Sequence, residues 1–168
     1  MYTIEGVLYC VCVRARVMKI PRKYIPKHLS QKDLTKQKQN IANTRRLYNK
    51  KIYRDRPYVK SFRSKKSNHV DTAKRMYDVK SVVPSTALAK KTRCTRKALR
   101  QITKKGRGAY YSSGSRPNQT AQSWARARLA SALTGGPASL VDAHILEEGC
   151  HRTSPALKLM KKTRRRSK

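Results

Sequence analysis

An excess of positive charge constrains this chain more than any other feature of its sequence. Lys and Arg number 42 against eight Asp and Glu, which gives a formal net charge of +34 over 168 residues. Leu, Ile, Val and Phe supply only 30 residues, a share typical of chains that do not fold without a partner. The composition predicts a protein that faces a polyanion or is embedded in an assembly. It disfavours a self-sufficient enzyme, because eight carboxylates leave little acid–base chemistry.

The four cysteines do not follow the spacing of a common zinc site. Cys10 and Cys12 form a C-x-C pair, whereas Cys94 and Cys150 are far away in sequence. A metal site formed by Cys10, Cys12, Cys150 and His151 is conceivable, but the spacing favours reduced, buried or half-exposed thiols. The number and scatter of the cysteines do not suggest a secreted disulfide framework.

Residues 1–18 are predicted to form a separate short segment. Gly6–Val13 is the most apolar stretch of the chain, and its β-branched residues predict a short strand. Glu5 precedes this stretch and no small-residue cleavage site follows it, so a signal peptide is not indicated. Met18 opens the strongly basic part of the chain and is a candidate start, with residues 1–17 as an upstream extension.

Residues 19–83 are predicted to form a basic arm that is partly extended and partly helical. Ser30 followed by Asp33 resembles a capping box, so a helix is predicted over residues 31–51. Its apolar positions are too few to pack a core of their own. Residues 53–83 show no sustained periodicity and are predicted to be irregular, with a short strand before Pro84.

Residues 84–150 are predicted to form a small helical domain of about three helices. The first covers residues 95–105 and stops at Gly106, because glycine commonly ends a helix. The composition of Gly106–Pro117 predicts a loop that orders against a partner. The second helix covers residues 119–133.

The second and third predicted helices each have an apolar side. The stripe of the second consists of Ala121, Trp124, Ala125, Leu129 and Ala132. The third helix begins at Pro137 and closes at Gly149. Its predicted inward face consists of Leu140, Val141, His144 and Ile145. The nearby acids Asp142, Glu147 and Glu148 are expected to pair with neighbouring cations.

Residues 151–168 are predicted to form a basic C-terminal tail. Residues 158–168 include seven cations and no acid, and like charges at this density keep a chain extended. The predicted fold is therefore mainly α with little β structure, in which a long extended basic arm and tail flank the small helical unit.

The motifs that could support catalysis are weaker than their structural alternatives. The glycines of Gly106–Gly114 match neither nucleotide-binding pattern, and a predicted helix precedes them where a strand should be. Glu147 and Glu148 are adjacent and point apart on a helix, so they do not form a nuclease metal site. Cys150 beside His151 lacks a nucleophile elbow, and His144 fits a core position. We therefore predict no enzymatic activity, no cofactor and no metal.

Tyrosine and arginine are the candidate anchors of an interface. The chain has nine Tyr against one Phe and one Trp, and Tyr and Arg combine large area with a polar group. The adjacent Tyr110 and Tyr111 would stack on bases or fill a partner's pocket, and the second alternative is slightly favoured. The candidate partner-binding residues are Tyr24, Tyr48, Arg107, Tyr110, Tyr111, Arg116, Trp124, Lys161, Arg164, Arg165 and Arg166.

One stretch of the chain resembles a viral protein family. The run KKGRGAYYSSGSRPNQTA at residues 104–121, with Ser123-Trp124 and Leu129–Gly136 after it, is similar to a small basic domain of nucleocytoplasmic large DNA viruses. The chloroviruses of algae are the notable case, and Met18–Pro26 resembles the start of such proteins. The resemblance covers about half of the chain and leaves out residues 1–17. It implies a virion component, and a minor capsid protein is the natural role.

The expected function is therefore structural. The protein would act as a cement or scaffold on the inner face of a large icosahedral capsid, with its helical unit between capsomers of the major capsid protein. The arm and tail would run in grooves between this protein and other minor capsid proteins. Their cations would neutralise acidic capsomer bases, membrane headgroups or viral DNA. A DNA-condensing protein of the virion interior is the alternative. A ribosomal-type protein fits the composition but not the resemblance.

Overall fold

The computed structural model describes residues 20–64 and 67–167, and this part of the protein is mainly α-helical, as the sequence predicts. A 3-10 turn at Arg22–Tyr24 precedes eight helices. They are α1 (Gln31–Asn49), α2 (His69–Tyr77), α3 (Thr86–Thr92), α4 (Arg96–Ser113), α5 (Ala121–Leu133), α6 (Pro137–Val141), α7 (Ala143–Gly149) and α8 (Pro155–Arg166). None of these helices combines the length and apolar character of a membrane span. The strand predicted within the first 18 residues lies outside the described residues.

Three of the longer helices begin with capped ends close to their predicted starts. The Ser30 side chain accepts the backbone N–H of Asp33 at 3.3 Å at the start of α1. Thr95 caps α4 in the same way, and Thr120 caps α5. The last cap is reciprocal, because the Ser123 hydroxyl accepts the backbone N–H of Thr120. The predicted starts of these helices are confirmed.

Helix α4 continues through the glycine at which it is predicted to stop. It passes Gly106 and Gly108 and ends at Ser113, so the predicted loop is helical over most of its length. A Cβ at Gly106 would lie 2.7 Å from the Cα of Ala125. The prediction is wrong because this glycine lets α4 and α5 pack closely rather than ending a helix.

The α4–α5 pair forms the centre of the protein, and α1, α2, α7 and α8 pack around it. The predicted stripe of α5 is buried except at Trp124, which is half-buried. The large side chains without exposed surface in the core are Val82, Leu88, Leu99, Ile102, Leu129, Leu133, Leu146 and Met160.

The predicted third helix is broken at Asp142 into α6 and α7. Its predicted inward face is correct at Ile145, which is buried, and at Leu140, which is half-buried. Val141 and His144 are exposed, so their predicted core positions are wrong. Because the predicted helix is broken, α6 and α7 do not share one continuous buried side. Ser139 is buried in α6, and Ala143, Ile145 and Leu146 are buried in α7.

Two of the acids in this region pair with cations, as expected. Asp142 accepts two hydrogen bonds from Arg128, and Lys105 lies 3.2 Å from its carboxylate. Glu147 pairs with Arg164 at 2.9 Å. These contacts connect the α6–α7 segment to α4, α5 and α8.

Residues 53–83, predicted to be irregular, contain the helix α2. Tyr77 of α2 is buried and its hydroxyl donates to the Leu133 carbonyl at 2.7 Å. Burial raises the pKa of Tyr77. Val82 is buried without strand pairing, which corrects the predicted short strand. The nine residues of α2 are too few to show a clear helical period.

The C-terminal segment is helical rather than extended, up to Arg166. Helix α8 places Ala156, Leu157 and Met160 in the core. Pro155 occupies the first turn, where proline fits a helix. The predicted extended tail is therefore corrected, because burial of one apolar side outweighs the repulsion among its cations.

Cys94 and Cys150 form a disulfide between the start of α4 and the end of α7. This bond corrects the prediction of reduced thiols for the pair. Because its sulfur is in this bond, Cys150 cannot serve as a ligand in the conceivable metal site. Cys10 and Cys12, the other cysteines of that site, lie outside the described residues. Within residues 20–64 and 67–167, no group of three or more His, Cys, Asp or Glu side chains could hold a metal ion.

Candidate functional site

One side of α4 carries a straight line of cations, which we call the α4 stripe. It consists of Lys97, Arg100, Lys104 and Arg107, which recur at intervals of three and four residues over about 15 Å of helix. All four are exposed, and none forms an ion pair in the part of the chain that the structure describes. The opposite side of the helix, around Leu99, is buried in the core.

A shallow trough of about 680 Å³ runs beside the α4 stripe. Val83 and Pro84, which precede α3, line it with apolar surface, and Gln101 and Gln122 line it with amides. Val83 is exposed to solvent. A ligand that lies along the α4 stripe would therefore contact cations and apolar surface on the same side of the protein.

The α4 stripe ends at three tyrosines, which we call the tyrosine cluster. Tyr111 follows Arg107 on the same side of α4, four residues later. Tyr48 of α1 stacks on Tyr111, with ring centroids 5.7 Å apart and planes 18° apart. Tyr53 tilts against Tyr111 at 5.2 Å and meets Tyr48 edge to face at 6.0 Å. Tyr53 is 60% exposed and is the most open ring of the three.

Close packing of α1 on α4 positions the tyrosine cluster. A Cβ at Gly108 would lie 3.2 Å from the Tyr48 hydroxyl oxygen, so the glycine leaves room for this ring. Below the cluster, the fully buried Tyr110 meets Tyr111 edge to face at 5.1 Å. The cluster therefore rests on the core rather than on a free loop.

Arg56 connects the segment after α1 to the end of α4. Its backbone N–H donates to the Tyr110 hydroxyl at 3.2 Å. Its guanidinium donates to the Tyr110 carbonyl at 2.6 Å, to the Thr44 hydroxyl at 3.1 Å and to the Gly114 carbonyl. Burial lowers the pKa of Arg56 and raises the pKa of Tyr110. Because Tyr53 lies three residues before Arg56, this network also fixes its place beside α4.

Asp55 is the carboxylate whose charge acts on the tyrosine cluster. Partial burial raises the pKa of Tyr111, and the charge of Asp55 raises it further, whereas Arg107 lowers it. Asp55 is exposed and forms no ion pair within the described chain. The cluster therefore lies between a positive stripe and one negative side chain.

The loop after α4 is held by side chains and backbone of the basic arm. Asn118 Oδ1 accepts the backbone N–H of Val59 at 2.8 Å, and its Nδ2 donates to the Val59 carbonyl at 2.9 Å. Gln37 donates to the Ser115 carbonyl at 3.3 Å. The prediction that this loop orders against a partner is corrected, because the chain itself orders it. The loop leaves Arg116 exposed.

Three predicted partner-binding residues, Tyr48, Arg107 and Tyr111, meet at this surface. Tyr110 fills a pocket of its own chain, so its predicted role as an anchor on a partner is corrected. Tyr53 and most of the α4 stripe are not among the residues predicted from the sequence. The three–four spacing of Lys97, Arg100 and Lys104 is a readable signal within the predicted helix of residues 95–105, whereas Arg107 joins them only if the helix continues through Gly106.

The other predicted partner-binding residues lie on separate surfaces. Tyr24 is half-buried, with the Arg45 guanidinium 5.5 Å from its ring centroid. Arg116 and Trp124 line a second cavity, of about 860 Å³, beside α2 and α5. Helix α8 carries the remaining four, Lys161, Arg164, Arg165 and Arg166. These residues do not form one site with the tyrosine cluster.

The chain matches a family that is defined by sequence. The family is described as a family of unknown function (DUF5824), and its model matches residues 21–143. Searches of curated proteins and of solved structures found no match. The matched region contains the whole α4 stripe and the tyrosine cluster, but neither Cys150 nor α8.

Proposed function

The chain belongs to this family of unknown function (DUF5824), and we propose that it is a non-enzymatic virion protein of a large DNA virus that binds nucleic-acid phosphates without reading base sequence. The α4 stripe is the observation that carries the proposal. The viral setting rests on the resemblance of residues 104–136 to a domain of such viruses. The proposed place of the protein is the virion interior, with the genome as its partner.

Most of the positive charge is available to a partner. The formal net charge is +34, and the ion pairs within the described chain use the carboxylates of Asp78, Asp142 and Glu147. The remaining cations repel one another on a compact surface. Binding of a polyanion relieves this repulsion and releases the counterions of the polyanion.

A linear polyanion fits the α4 stripe better than the surface of a folded protein does. The four cations lie over about 15 Å of straight helix, with no carboxylate between them. Duplex DNA presents one negative charge per about 1.7 Å of its axis, whereas the surface charges of folded proteins are usually mixed in sign. Contacts to phosphates fix a position on the backbone and carry no sequence information.

The fold weakens the expectation that the arm and the tail run in grooves between capsid proteins. That expectation uses the arm and the tail as extended chains between capsid proteins. In the structure α1 packs on α4, α2 packs on α5, and α8 packs on the core. The described part of the arm and tail therefore offers a partner a folded, largely basic surface rather than extended chain.

Binding of the full chain to a short DNA duplex across a salt series tests the proposal. The logarithm of the affinity should fall linearly with the logarithm of the salt concentration. Replacement of Lys97, Arg100 and Lys104 by Gln should reduce the slope by about 3, since each lost phosphate contact removes about 0.9. Absence of binding at low salt would refute the proposal.

Helix α8 offers a matched control. Lys158, Lys161 and Arg165 are exposed and have the same spacing as Lys97, Arg100 and Lys104. Their replacement by Gln makes the same change in net charge and should reduce the slope by less than half as much. Equal reductions in the two variants would mean that total charge, rather than the α4 stripe, determines binding. Thermal melts should show that both variants are folded.

A capsid cement role is the second candidate. It is favoured by exposed apolar side chains that belong neither to the α4 stripe nor to the trough beside it, namely Tyr58, Met76 and Val141. A capsid protein would cover such side chains, whereas phosphates would not. Co-sedimentation with capsids that lack DNA would support this role at the inner face of the shell. Sedimentation that requires DNA would support the first proposal.

A further inference from the structure

We infer that the surface formed by the α4 stripe and the tyrosine cluster prefers single-stranded nucleic acid to duplex, with Tyr53 stacking on an unpaired base. The inference rests on the proposed binding of phosphates and adds a preference that phosphate contacts alone do not provide. Proteins that bind single strands without reading sequence combine a positive track for the backbone with aromatic rings for the bases. Both parts are present here on one face.

The cations and the rings lie on one line. Tyr111 follows Arg107 by four residues, just as Lys104 follows Arg100. Residues at these intervals share one side of a helix. A strand whose phosphates follow the α4 stripe is therefore led to the tyrosine cluster at the end of the helix.

Tyr53 is the ring that can take a base. It is 60% exposed, whereas Tyr48 and Tyr111 are partly covered. Its contacts with Tyr48 and Tyr111, at centroid distances of 6.0 and 5.2 Å, restrict its orientation. A ring that is already oriented loses less conformational entropy when a base stacks on it. Tyr48 and Tyr111 are thus positioning residues for Tyr53.

The spacing of the rings argues against a cage for a cationic ligand. An ammonium group must fit between the ring faces that bind it, but the centroids of the tyrosine cluster are only 5.2–6.0 Å apart. Rings at these distances contact one another and leave no room between them. The adjacent Arg107 would also repel a cation. A nucleotide fits the surface better, because its uncharged planar base can stack on a ring while its anionic phosphate contacts Arg107.

The preference for single strands follows from access to the bases. In a duplex each base is already stacked and paired, so that Tyr53 meets only the backbone or the groove edges. An unpaired base can turn outward and stack on an aromatic ring. Because every base has a π-face, this contact should tolerate any sequence.

Binding of the full chain to an oligothymidine, to a duplex of equal length and to heparin tests the inference. Tyr53→Ala should weaken binding of the oligothymidine about ten-fold, the usual effect of losing one stacked base. It should leave the affinities for the duplex and for heparin unchanged, since heparin has charge but no bases. Tyr53→Phe keeps the ring and should bind the oligothymidine like the wild type.

Tyr58 offers a matched control on the same segment. It is 64% exposed and has no ring contact within the described chain. Tyr58→Ala should leave all three affinities unchanged. The inference is overturned if Tyr53→Ala behaves like Tyr58→Ala, or if it weakens binding of the duplex and of the oligothymidine equally. In both cases salt-dependent duplex binding would still support the proposed function, whereas failure of the wild type to bind any of the three would overturn both.

Discussion

Arg128 of α5 donates two hydrogen bonds of 2.7 Å to the carboxylate of Asp142, which has no exposed surface. The pair connects α5 to the junction of α6 and α7. Asp142→Asn would leave Arg128 and Lys105 without their negative partner. We expect the free energy of unfolding to fall by about 3 kcal/mol, as measured by urea denaturation.

An exposed acid provides the control for that change. Glu148→Gln removes the same charge at a site without an ion pair in the described chain. Its effect on the free energy of unfolding should stay within about 0.5 kcal/mol. If the two variants lost equal stability, the buried pair would not be the cause.

Two glycines of α4 should respond differently to the same substitution. Gly106→Ala places a Cβ 2.7 Å from the Cα of Ala125, so α4 and α5 must separate and stability should fall by about 2 kcal/mol. Gly108→Ala meets only the Tyr48 hydroxyl, at 3.2 Å. Its gain in helix propensity, of up to about 1 kcal/mol, should offset that contact. Thermal denaturation compares the two, and equal losses would contradict the role given to Gly106.

The disulfide between Cys94 and Cys150 should stabilise the folded protein mainly by constraining the unfolded chain. It spans 56 residues, and a closed loop of this length corresponds to about 4 kcal/mol in the chain-entropy estimate. The Cys94→Ala, Cys150→Ala double variant should lose stability of this order in guanidinium denaturation. A reductant should lower the stability of the wild type similarly and leave the double variant unchanged. A wild type insensitive to the reductant would contradict the bond's contribution.

Buried tyrosines should make the protein unstable in alkali. Burial raises the pKa of Tyr77 and of Tyr110 in the folded state, above the usual tyrosine value of about 10. The unfolded state therefore loses these protons first, and the free energy of unfolding should fall as the pH rises above about 10. Tyr77→Phe should lose about 1 kcal/mol at neutral pH with its hydrogen bond to Leu133. Its stability should decline less steeply in alkali, and a slope equal to that of the wild type would contradict the assignment.

The charge of Asp55 should weaken DNA binding at the proposed surface. Asp55→Asn removes a negative charge beside the tyrosine cluster, so the affinity for an oligothymidine should rise about two-fold at low salt. Fluorescence anisotropy measures this change. Asp55→Glu keeps the charge and should bind like the wild type. A gain that persists at high salt would point to a cause other than charge.

Local features of the fold could be predicted from the sequence. The cap at Ser30 and the apolar stripe of α5 depend on residues within a few positions of each other, so that their pattern is visible in one stretch of chain. The role of Gly106 depends on Ala125 in another helix, and the bond of Cys94 depends on Cys150. Such partners become neighbours only after the helices pack.

The candidate site likewise has one part that depends on residues close in sequence and one part that depends on residues far apart. Most of the α4 stripe follows from spacing within the predicted helix of residues 95–105, and only Arg107 requires the helix to pass Gly106. The tyrosine cluster joins α1, the segment after it and α4, so no single stretch of sequence reveals it. Tyr48 and Tyr111 are therefore separate candidates in the sequence, and no local pattern places Tyr53 beside them.

The network around Arg56 has a consequence for how the chain comes apart. Its guanidinium bonds with Thr44 on α1, with Tyr110 on α4 and with Gly114 after α4. If the basic arm detached, the carbonyls of Tyr110 and Gly114 would lose the hydrogen bonds from Arg56, and the Tyr110 ring would be exposed. Detachment of the arm alone therefore has a high free-energy cost. The arm and the helical domain should therefore unfold in a single transition. A protease acting on the native protein should release no long-lived fragment that begins near residue 84.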